Sequence, residues 1–102
     1  MTHGAITTYP APGIELRQIE RLAPLARKRL LEVGCGEGRL SLQYASRVSR
    51  ALAIDLDPIR VASAKQAAAL AGVDNIDFQL RSALRVKPQP ATFDTAIFTW
   101  SL

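Results

Sequence analysis

The sequence predicts an α/β fold in which helices pack against a parallel sheet. Short, continuous apolar runs recur along the chain, and such runs are typical of parallel strands that are buried on both faces. Stretches with helical periodicity lie between the runs. Because strands and helices alternate, we expect the strands to be joined by right-handed crossovers in a layered α/β domain.

The first half of the chain contains two predicted helices and one predicted strand. A helix is predicted from Ile14, and Pro24 ends or kinks it. The apolar run Leu30–Val33 is the first predicted strand. A second helix is predicted from Gly38 to about Arg47, with Tyr44 counted among its apolar positions.

The second half of the chain carries clear helix boundaries. Asp57 followed by Pro58 is typical of a helix start, with an N-capping carboxylate and a proline at the first helical position. The alanine-rich stretch Ile59–Ala71 is the predicted helix, and Gly72 ends it. The remaining apolar runs are predicted strands: Ala51–Ile54, Ile76–Leu80 and Phe93–Trp100.

Length and composition indicate one domain in 102 residues, of which 48% are hydrophobic and 22% are charged. Residues 1–13, rich in Thr, Pro and Gly, are predicted to be a flexible N-terminal lead-in, and residues 14–102 to form the domain. No apolar run reaches the ~20 residues that cross a bilayer, and the N-terminus does not resemble a secretory signal. We therefore expect a cytoplasmic protein without a membrane partner.

A single cysteine and a single histidine limit the chemistry that the chain can supply. Cys35 alone cannot form an intrachain disulfide or a cysteine-rich metal site. A single histidine, His3, argues against a histidine-based metal centre or catalytic triad. The net charge of +4 is not accompanied by a long basic run or by interleaved aromatic residues. We therefore expect no metal, and nucleic acid is disfavoured as a partner.

The first predicted strand runs into a glycine-rich turn at Gly34, Gly36 and Gly38. Glycine lets a chain turn tightly and approach a ligand closely, and the turn after the first strand of such a sheet is a common ligand site. The dinucleotide fingerprint needs a glycine at the sixth position, where this chain has Arg39. The Lys and Ser/Thr of a P-loop are missing as well.

Carboxylates are concentrated near the ends of the first two predicted strands, whereas basic residues precede those strands. The acidic residues are Glu32, Glu37, Asp55 and Asp57, and the basic ones are Arg27, Lys28, Arg29 and Arg50. We call the carboxyl ends of these two strands, with their carboxylates, the acidic mouth of the predicted site. Such a site repels a pyrophosphate and attracts a cationic nucleoside, for which S-adenosylmethionine is the obvious candidate. Asp55 follows Gly34 by about 20 residues, the spacing of a carboxylate that binds ribose hydroxyls. Because NAD sites share this role, the spacing does not choose between the two ligands.

Three segments in order resemble the motifs of the class I S-adenosylmethionine-dependent methyltransferases: Glu32–Gly38, Ala53–Pro58 and Phe93–Leu102. The resemblance covers residues 30–102. It implies a Rossmann-like parallel sheet of strand order 3-2-1-4, incomplete, with helices on both faces. It also implies S-adenosyl-L-methionine as the cofactor.

The resemblance implies roles for individual residues. Glu32 would hold the methionine end of the cofactor, Asp55 would accept hydrogen bonds from the ribose hydroxyls, and Leu56 would pack on the adenine. Ser82 and Ala83 would contact the adenine, and Ser82 departs from the acidic residue that the family often has there. No catalytic residue is assigned. The implied cofactor-binding residues are Glu32, Gly34, Cys35, Gly36, Gly38, Asp55, Leu56, Ser82 and Ala83.

The chain stops where the fourth predicted strand ends. Domains of the family that it resembles usually continue for three more strands, which bring most of the acceptor site, so residues 14–102 are expected to form a partial domain. Ile97, Phe98 and Trp100 would then lie on an uncovered sheet edge, where strands of separate chains can pair. Two explanations follow: the sequence is a fragment of a longer domain, or the chain self-associates through this edge.

The resulting hypothesis is methyl transfer from S-adenosyl-L-methionine to an unidentified acceptor, with this chain carrying the cofactor-binding half. A small-molecule acceptor is favoured over a nucleic acid. Transfer from a sulfonium needs positioning more than acid–base chemistry, which suits a chain with one histidine. Two alternatives stay open: a non-catalytic S-adenosylmethionine-binding module and an NAD-binding oxidoreductase fragment.

Overall fold

A computed structural model describes residues 5–6, 15–22, 24–82 and 93–98 of the chain. From residue 5 to residue 80, strands and helices alternate as the sequence predicts. The helices are α1 (Glu15–Leu22), α2 (Arg39–Tyr44) and α3 (Pro58–Ala71), and the strands are β1 (Ala5–Ile6), β2 (Arg29–Val33), β3 (Arg50–Asp55), β4 (Ile76–Leu80) and β5 (Thr95–Phe98). No helix in these segments is long and apolar enough to span a bilayer.

The described strands form one parallel sheet in the order β1-β5-β2-β3-β4. The four predicted strands correspond to β2, β3, β4 and β5. Their predicted order of 3-2-1-4 is confirmed, because β5 pairs with β2 on the side opposite to β3. The carboxyl ends of β2 and β3 therefore lie side by side, with Val33 opposite Ile54.

Strand β1 is an addition that the sequence analysis missed. It lies within the segment predicted to be a flexible lead-in, and it pairs with β5 through Ala5 opposite Ala96 and Ile6 opposite Ile97. The expectation of an uncovered edge at Ile97 is wrong for this reason, since Ile97 is fully buried and its strand has a neighbour on either side. This pairing removes the basis for self-association at Ile97; the register with β1 ends there, and Trp100 lies outside the described part. The domain boundary at residue 13 stays a prediction.

The described helices lie on one face of the sheet. Leu30 of β2 and Ala51 of β3 pack in one cluster with Ile19 of α1 and Tyr44 of α2. Ala53 packs in a second cluster with buried residues of α3. Because alternate side chains of a strand point to the same face, both clusters lie on the same side of the sheet.

The strand order explains why the helices share a face. From β1 through β2 and β3 to β4, the chain always steps in the same direction across the sheet. Right-handed crossovers that step in one direction place their helices on one face. Only the connection from β4 to β5 steps back, and its residues 83–92 lie outside the described part. Helices on both faces therefore stay a prediction, because the crossover from β4 to β5 is the one that would place a helix on the second face.

The opposite face of the sheet carries its own apolar cluster, in which Leu31, Val33 and Ile54 are buried. Partly buried residues pack against them: Leu52, Phe93, Ala96 and Phe98. The central strands therefore pack apolar side chains on both faces, with Glu32 of β2 as a buried polar exception. This is the property that their continuous apolar runs predict.

The ends of α3 match the predicted helix boundaries. Asp57 Oδ1 accepts hydrogen bonds from the backbone N–H groups of Ile59 at 2.9 Å and Arg60 at 3.4 Å, and Pro58 is the first helical residue. Gly72 follows the helix in the left-handed conformation, with φ 72°. Its N–H donates to carbonyls of the last turn, so local capping signals define this helix at both ends.

Helix α2 ends at Tyr44, earlier than the predicted end near Arg47. The backbone N–H groups of Arg47 and Val48 both donate to the carbonyl of Tyr44, at 2.8 and 3.2 Å. These bonds form a tight turn that carries Val48 into the core. The apolar periodicity that predicts a longer helix therefore continues through a turn.

An ion pair joins the amino ends of β2 and β5. The backbone N–H of Arg29 donates to Asp94 Oδ2 at 2.8 Å, and two guanidinium nitrogens lie 3.2 Å from the carboxylate oxygens. The hydrogen bonds from the Arg29 side chain and backbone lower the pKa of Asp94 to about 2. The pair lies at the edge of the sheet opposite to the glycine-rich turn, so it holds β5 in register without approaching that turn.

Candidate cofactor-binding site

The glycine-rich loop, residues 34–38, connects the carboxyl end of β2 to α2. The backbone N–H groups of Gly34 and Cys35 both donate to the carbonyl of Ile54, at 2.8 and 3.0 Å, so the loop starts against the end of β3. The N–H of Gly38 donates to the carbonyl of Cys35 at 3.0 Å and closes a tight turn. The loop therefore lies at the carboxyl edge of the sheet, where ligands of parallel α/β sheets bind.

Two glycines of this loop serve different purposes. Gly36 has φ 56°, and a Cβ at this position would meet no atom within 4 Å. Gly38 has φ 84°, and its Cβ would come 3.2 Å from the Cβ of Ala64 and 3.4 Å from the ring of Phe78. The backbone at Gly36 thus faces open space that a ligand can occupy, whereas Gly38 lets the loop approach α3 and β4.

Asp55 ends β3 and ties the loop to the following turn. Its Oδ2 accepts a hydrogen bond from the N–H of Gly36 at 2.8 Å, and its Oδ1 accepts one from the N–H of Asp57 at 2.9 Å. A carboxylate accepts about four hydrogen bonds, so both oxygens retain capacity for a ligand hydroxyl. The residue is partly exposed beside the open backbone of Gly36. This position suits the predicted binding of ribose hydroxyls, which stays a prediction.

Leu56 and Ser82 follow adjacent strands at the same edge. The backbone N–H of Arg81 donates to the carbonyl of Asp55 at 3.0 Å, which brings the residues after β4 beside the end of β3. Leu56 is 72% exposed, so its side chain is open to a flat apolar group such as an adenine. Ser82 is partly buried. Ala83, the other residue expected at the adenine, lies outside the described residues.

Glu32 lies inside the protein, in contrast to Asp55. It is 1% exposed, and its Oε1 accepts hydrogen bonds from Ser41 Oγ at 2.5 Å and from Tyr44 Oη at 2.7 Å. Both hydroxyls belong to α2 and are fully buried. Burial, and then the neighbouring Glu32 carboxylate, raise the pKa of Tyr44 well above its usual range, so the phenol stays protonated and donates.

The carboxylates of the predicted acidic mouth therefore have different tasks. Glu32 binds hydroxyls of α2, Asp57 caps α3, and Asp55 joins two turns. Glu37 is exposed in the loop. Glu32 and Asp55 both lie close enough to Cys35 for their charges, after burial, to help raise the pKa of its thiol. Negative charge thus converges on the loop, although Glu32 contributes it from within the protein.

Cys35 is a buried member of the loop. Burial, and then the charges of Glu32 and Asp55, raise the pKa of its thiol to about 12. Such a thiol is protonated at neutral pH and is a poor nucleophile, and it packs with buried residues of α3. Within the described segments, no group of three or more His, Cys, Asp or Glu side chains could hold a metal ion. Cys35 therefore serves the site through its backbone and its packing.

Ser41 and Tyr44 are the residues of this region that the sequence analysis missed. The apolar pattern predicts Tyr44 as a core position of its helix and indicates no role for Ser41. The sequence contains one indication of this arrangement: Ser41 and Tyr44 are three residues apart, so their side chains lie on the same face of α2. What those hydroxyls meet depends on how α2 packs against β2, which periodicity does not specify.

The sheet places a glycine-rich loop and a carboxylate at adjacent strand ends, the arrangement in which α/β domains commonly bind nucleoside-containing ligands. Residues 30–102 match the family described as "Methyltransferase domain". The chain belongs to this family. The resemblance seen in its sequence motifs is thereby confirmed.

Curated methyltransferases are similar to most of this chain. A tRNA/tmRNA (uracil-C(5))-methyltransferase of a Nitratiruptor species is 30% identical over 82 residues, which are 78% of this chain and 23% of that protein. A ubiquinone biosynthesis O-methyltransferase of Xanthomonas euvesicatoria pv. vesicatoria is 35% identical over 83 residues, 80% of this chain and 34% of that protein. The chain thus spans between 23% and 34% of the length of these relatives.

A solved structure has the same fold over most of this chain. It is the RNA methyltransferase from Salinibacter ruber in complex with S-adenosyl-L-homocysteine, with a TM-score of 0.75. The match covers 88% of this chain and 60% of that chain at 24% sequence identity. At this identity the likeness shows the fold alone, and it agrees with the sheet described above.

Proposed function

We propose that this chain is the cofactor-binding half of an S-adenosyl-L-methionine-dependent methyltransferase. Membership of the methyltransferase domain family supports the class of reaction. The observation that carries the proposal is the Asp55 carboxylate, which lies between the N–H groups of Gly36 and Asp57 at the carboxyl edge of the sheet. Because a single cysteine suits a reducing compartment, we place the protein in the cytoplasm.

The residues at this edge fit an adenosyl ligand. The open side of Gly36 admits a ligand to the backbone of the loop, and Asp55 has hydrogen-bonding capacity left for ribose hydroxyls. Leu56, which is exposed, is assigned to the adenine face, with Ser82 and Ala83 beside it. Membership of the methyltransferase domain family supports this choice of ligand.

The chain contributes binding and orientation to the reaction. When bound, S-adenosyl-L-methionine supplies a methyl group on a sulfonium, which is already activated for transfer. Negative charge from Glu32 and Asp55 near the loop favours a cationic ligand over a pyrophosphate. Contacts with the loop and Asp55 fix the position of the adenosyl group. Positioning of this kind supplies rate enhancement without an acid–base residue.

We propose a small molecule as the methyl acceptor. By their names, one curated relative acts on tRNA/tmRNA and the other belongs to ubiquinone biosynthesis, so the relatives leave both acceptor classes open. At the carboxyl edge of the described part, the exposed Arg39 and Arg81 are balanced by Glu37 and Asp55. An RNA backbone needs an excess of positive charge, which this edge does not offer. Transfer of a labelled methyl group to tRNA would contradict the proposal.

Calorimetric titration of this chain with S-adenosylhomocysteine and with NAD tests the choice of cofactor. We expect S-adenosylhomocysteine to bind more tightly, because the loop lacks the third fingerprint glycine and the nearby charge is negative. Tighter binding of NAD would favour the oxidoreductase alternative. Binding without methyl transfer to any acceptor, in the full-length protein, would favour the non-catalytic module.

Replacing Asp55 with alanine tests the residue that carries the proposal. We expect Asp55→Ala to weaken S-adenosylhomocysteine binding by about 1 to 3 kcal/mol, because the ribose loses a charged hydrogen-bond acceptor. The matched control is Asp77→Ala, which removes an exposed carboxylate from β4 that accepts a hydrogen bond from Gln79. Unchanged affinity in a folded Asp55→Ala chain would remove Asp55 from the site.

A further inference from the structure

A buried cluster of side chains connects the two elements that flank the glycine-rich loop. Glu32 is the second-last residue of β2, and Ser41 and Tyr44 are three residues apart on α2. Both hydroxyls donate to Glu32 Oε1, at 2.5 and 2.7 Å, and the three residues are 1%, 0% and 0% exposed. We call Glu32, Ser41 and Tyr44 the hydroxyl–carboxylate cluster.

We propose that the hydroxyl–carboxylate cluster holds the glycine-rich loop in the conformation that binds the cofactor, with Ser41 and Tyr44 as positioning residues that act through Glu32. The proposal rests on the proposed function, because it concerns the same loop. It replaces direct contact between Glu32 and the methionine end of the cofactor with an effect transmitted by α2.

The loop itself offers little to fix its exit toward α2. Gly34, Gly36 and Gly38 have φ angles of 87°, 56° and 84°, and glycine is the residue with the most freely variable backbone. The start of the loop is fixed by bonds to the carbonyl of Ile54. At Gly38, where α2 begins, the loop is held by the hydrogen bond to the carbonyl of Cys35 and by the close approach to α3, and the direction in which the chain leaves it depends on how firmly the six-residue helix is held against β2.

The cluster is suited to holding that helix. Hydrogen bonds to a charged acceptor are shorter and stronger than those between neutral groups, and they fix direction as well as distance. Because the pKa of Tyr44 is well above its usual range, its phenol remains a donor to Glu32. Asp55 holds the loop from the other side through the N–H of Gly36, so carboxylates on adjacent strands fix its two halves.

Burial makes direct contact between Glu32 and a ligand a poor explanation of its role. Glu32 is 1% exposed, whereas the partly exposed Asp55 lies beside open space. A ligand ammonium could reach Glu32 only by entering the space between β2 and α2 or by drawing the carboxylate away from its hydroxyl partners. Both events disturb a buried charge that needs those partners.

Titration of variants with S-adenosylhomocysteine separates the two roles of Glu32. Tyr44→Phe keeps the ring and removes one hydroxyl, and we expect it to weaken binding by about five- to tenfold. Glu32→Gln keeps a side-chain oxygen that can accept from both hydroxyls but loses the charge that strengthens these bonds, so we expect a loss of affinity no larger than that of Tyr44→Phe. A direct ion pair predicts the reverse order, with a large loss in Glu32→Gln and none in Tyr44→Phe.

The glycine amide resonances of the ligand-free chain provide a second readout, since each glycine of the loop gives its own signal in a ¹H–¹⁵N spectrum. We expect Tyr44→Phe to shift the signals of Gly36 and Gly38. The control Thr95→Val removes another buried hydroxyl, at the start of β5, and should leave both the loop signals and the affinity unchanged.

The two readouts distinguish failure of this inference from failure of the proposed function. If Tyr44→Phe behaves like Thr95→Val in both measurements, the positioning role is overturned. If the unaltered chain does not bind S-adenosylhomocysteine, the proposed function fails, while the loop signals of the ligand-free variants still show whether the cluster holds the loop.

Discussion

At the scale of the residue, two carboxylates act on the same loop from different environments. Asp55 is partly exposed and accepts backbone N–H groups, whereas Glu32 is buried and accepts hydroxyls. A partly exposed carboxylate can add a ligand hydroxyl to its partners. A buried one must keep its partners, because an unpaired charge in the interior is costly. Exposure, more than residue type, therefore separates a ligand-binding role from a positioning role.

Gly36 and Gly38 of the loop should respond differently to substitution by alanine. Positive φ costs an alanine about 1–2 kcal/mol at Gly36 and at Gly38 alike. At Gly38 the added Cβ also comes 3.2 Å from the Cβ of Ala64, so α3 must shift, and crowding of this kind typically costs about 1–3 kcal/mol more. We expect Gly38→Ala to have the lower urea midpoint. Equal midpoints for the two variants would contradict the packing role of Gly38.

The thiol of Cys35 should be unreactive in the folded chain. Its pKa is raised to about 12, chiefly by burial, so only a very small fraction is thiolate at pH 8. We expect an aromatic disulfide reagent to label Cys35 slowly in buffer and rapidly in denaturant. Labelling at the same rate in both conditions would show that the loop opens freely.

At the scale of the element, the sequence predicts the helix boundaries that depend on contacts within a single helix. Asp57, Pro58 and Gly72 define α3 through contacts within the helix, so its boundaries could be predicted from the sequence. Strand β1 exists because Ala5 and Ile6 pair with β5, which is distant along the chain, and two residues carry no periodicity. The sequence likewise placed Asp55 at the loop but not the hydroxyls on Glu32, since those contacts depend on how α2 docks against β2.

The ion pair between Arg29 of β2 and Asp94, which precedes β5, should weaken in acid. In the folded chain the pKa of Asp94 is about 2, below its usual 3.8, because of the hydrogen bonds from Arg29. A carboxylate with a lowered folded pKa stabilises the fold above its unfolded pKa, and this contribution is lost as the pH falls from about 4 to about 2. We expect Asp94→Asn to melt at a lower temperature than the unaltered chain near neutral pH. If the difference in melting temperature between Asp94→Asn and the unaltered chain persists unchanged below pH 2, the stabilising role of the Asp94 carboxylate is contradicted.

At the scale of the whole molecule, strand order separates two edges with different chemistry. The chain steps in one direction from β1 to β4, so the described helices gather on one face and the glycine-rich loop opens at the carboxyl edge. The Arg29–Asp94 pair lies at the amino edge, away from the loop. Strand β1 covers the outer side of β5, which in turn pairs with β2. Ala5 and Ile6 thus pair with the strand that would otherwise be the edge of the described sheet.

Deleting residues 1–13 should turn β5 into an edge strand and promote association of chains. The deletion removes the partner of Ala96 and Ile97, leaving unpaired N–H and C=O groups beside a buried apolar position. We expect the shortened chain to sediment as dimers or larger species at concentrations where the full chain does not. Substituting proline for both Ala5 and Ile6 removes the backbone donors of β1 at constant length and should have the same effect. If both variants sediment like the full chain, pairing with β1 does not protect this edge.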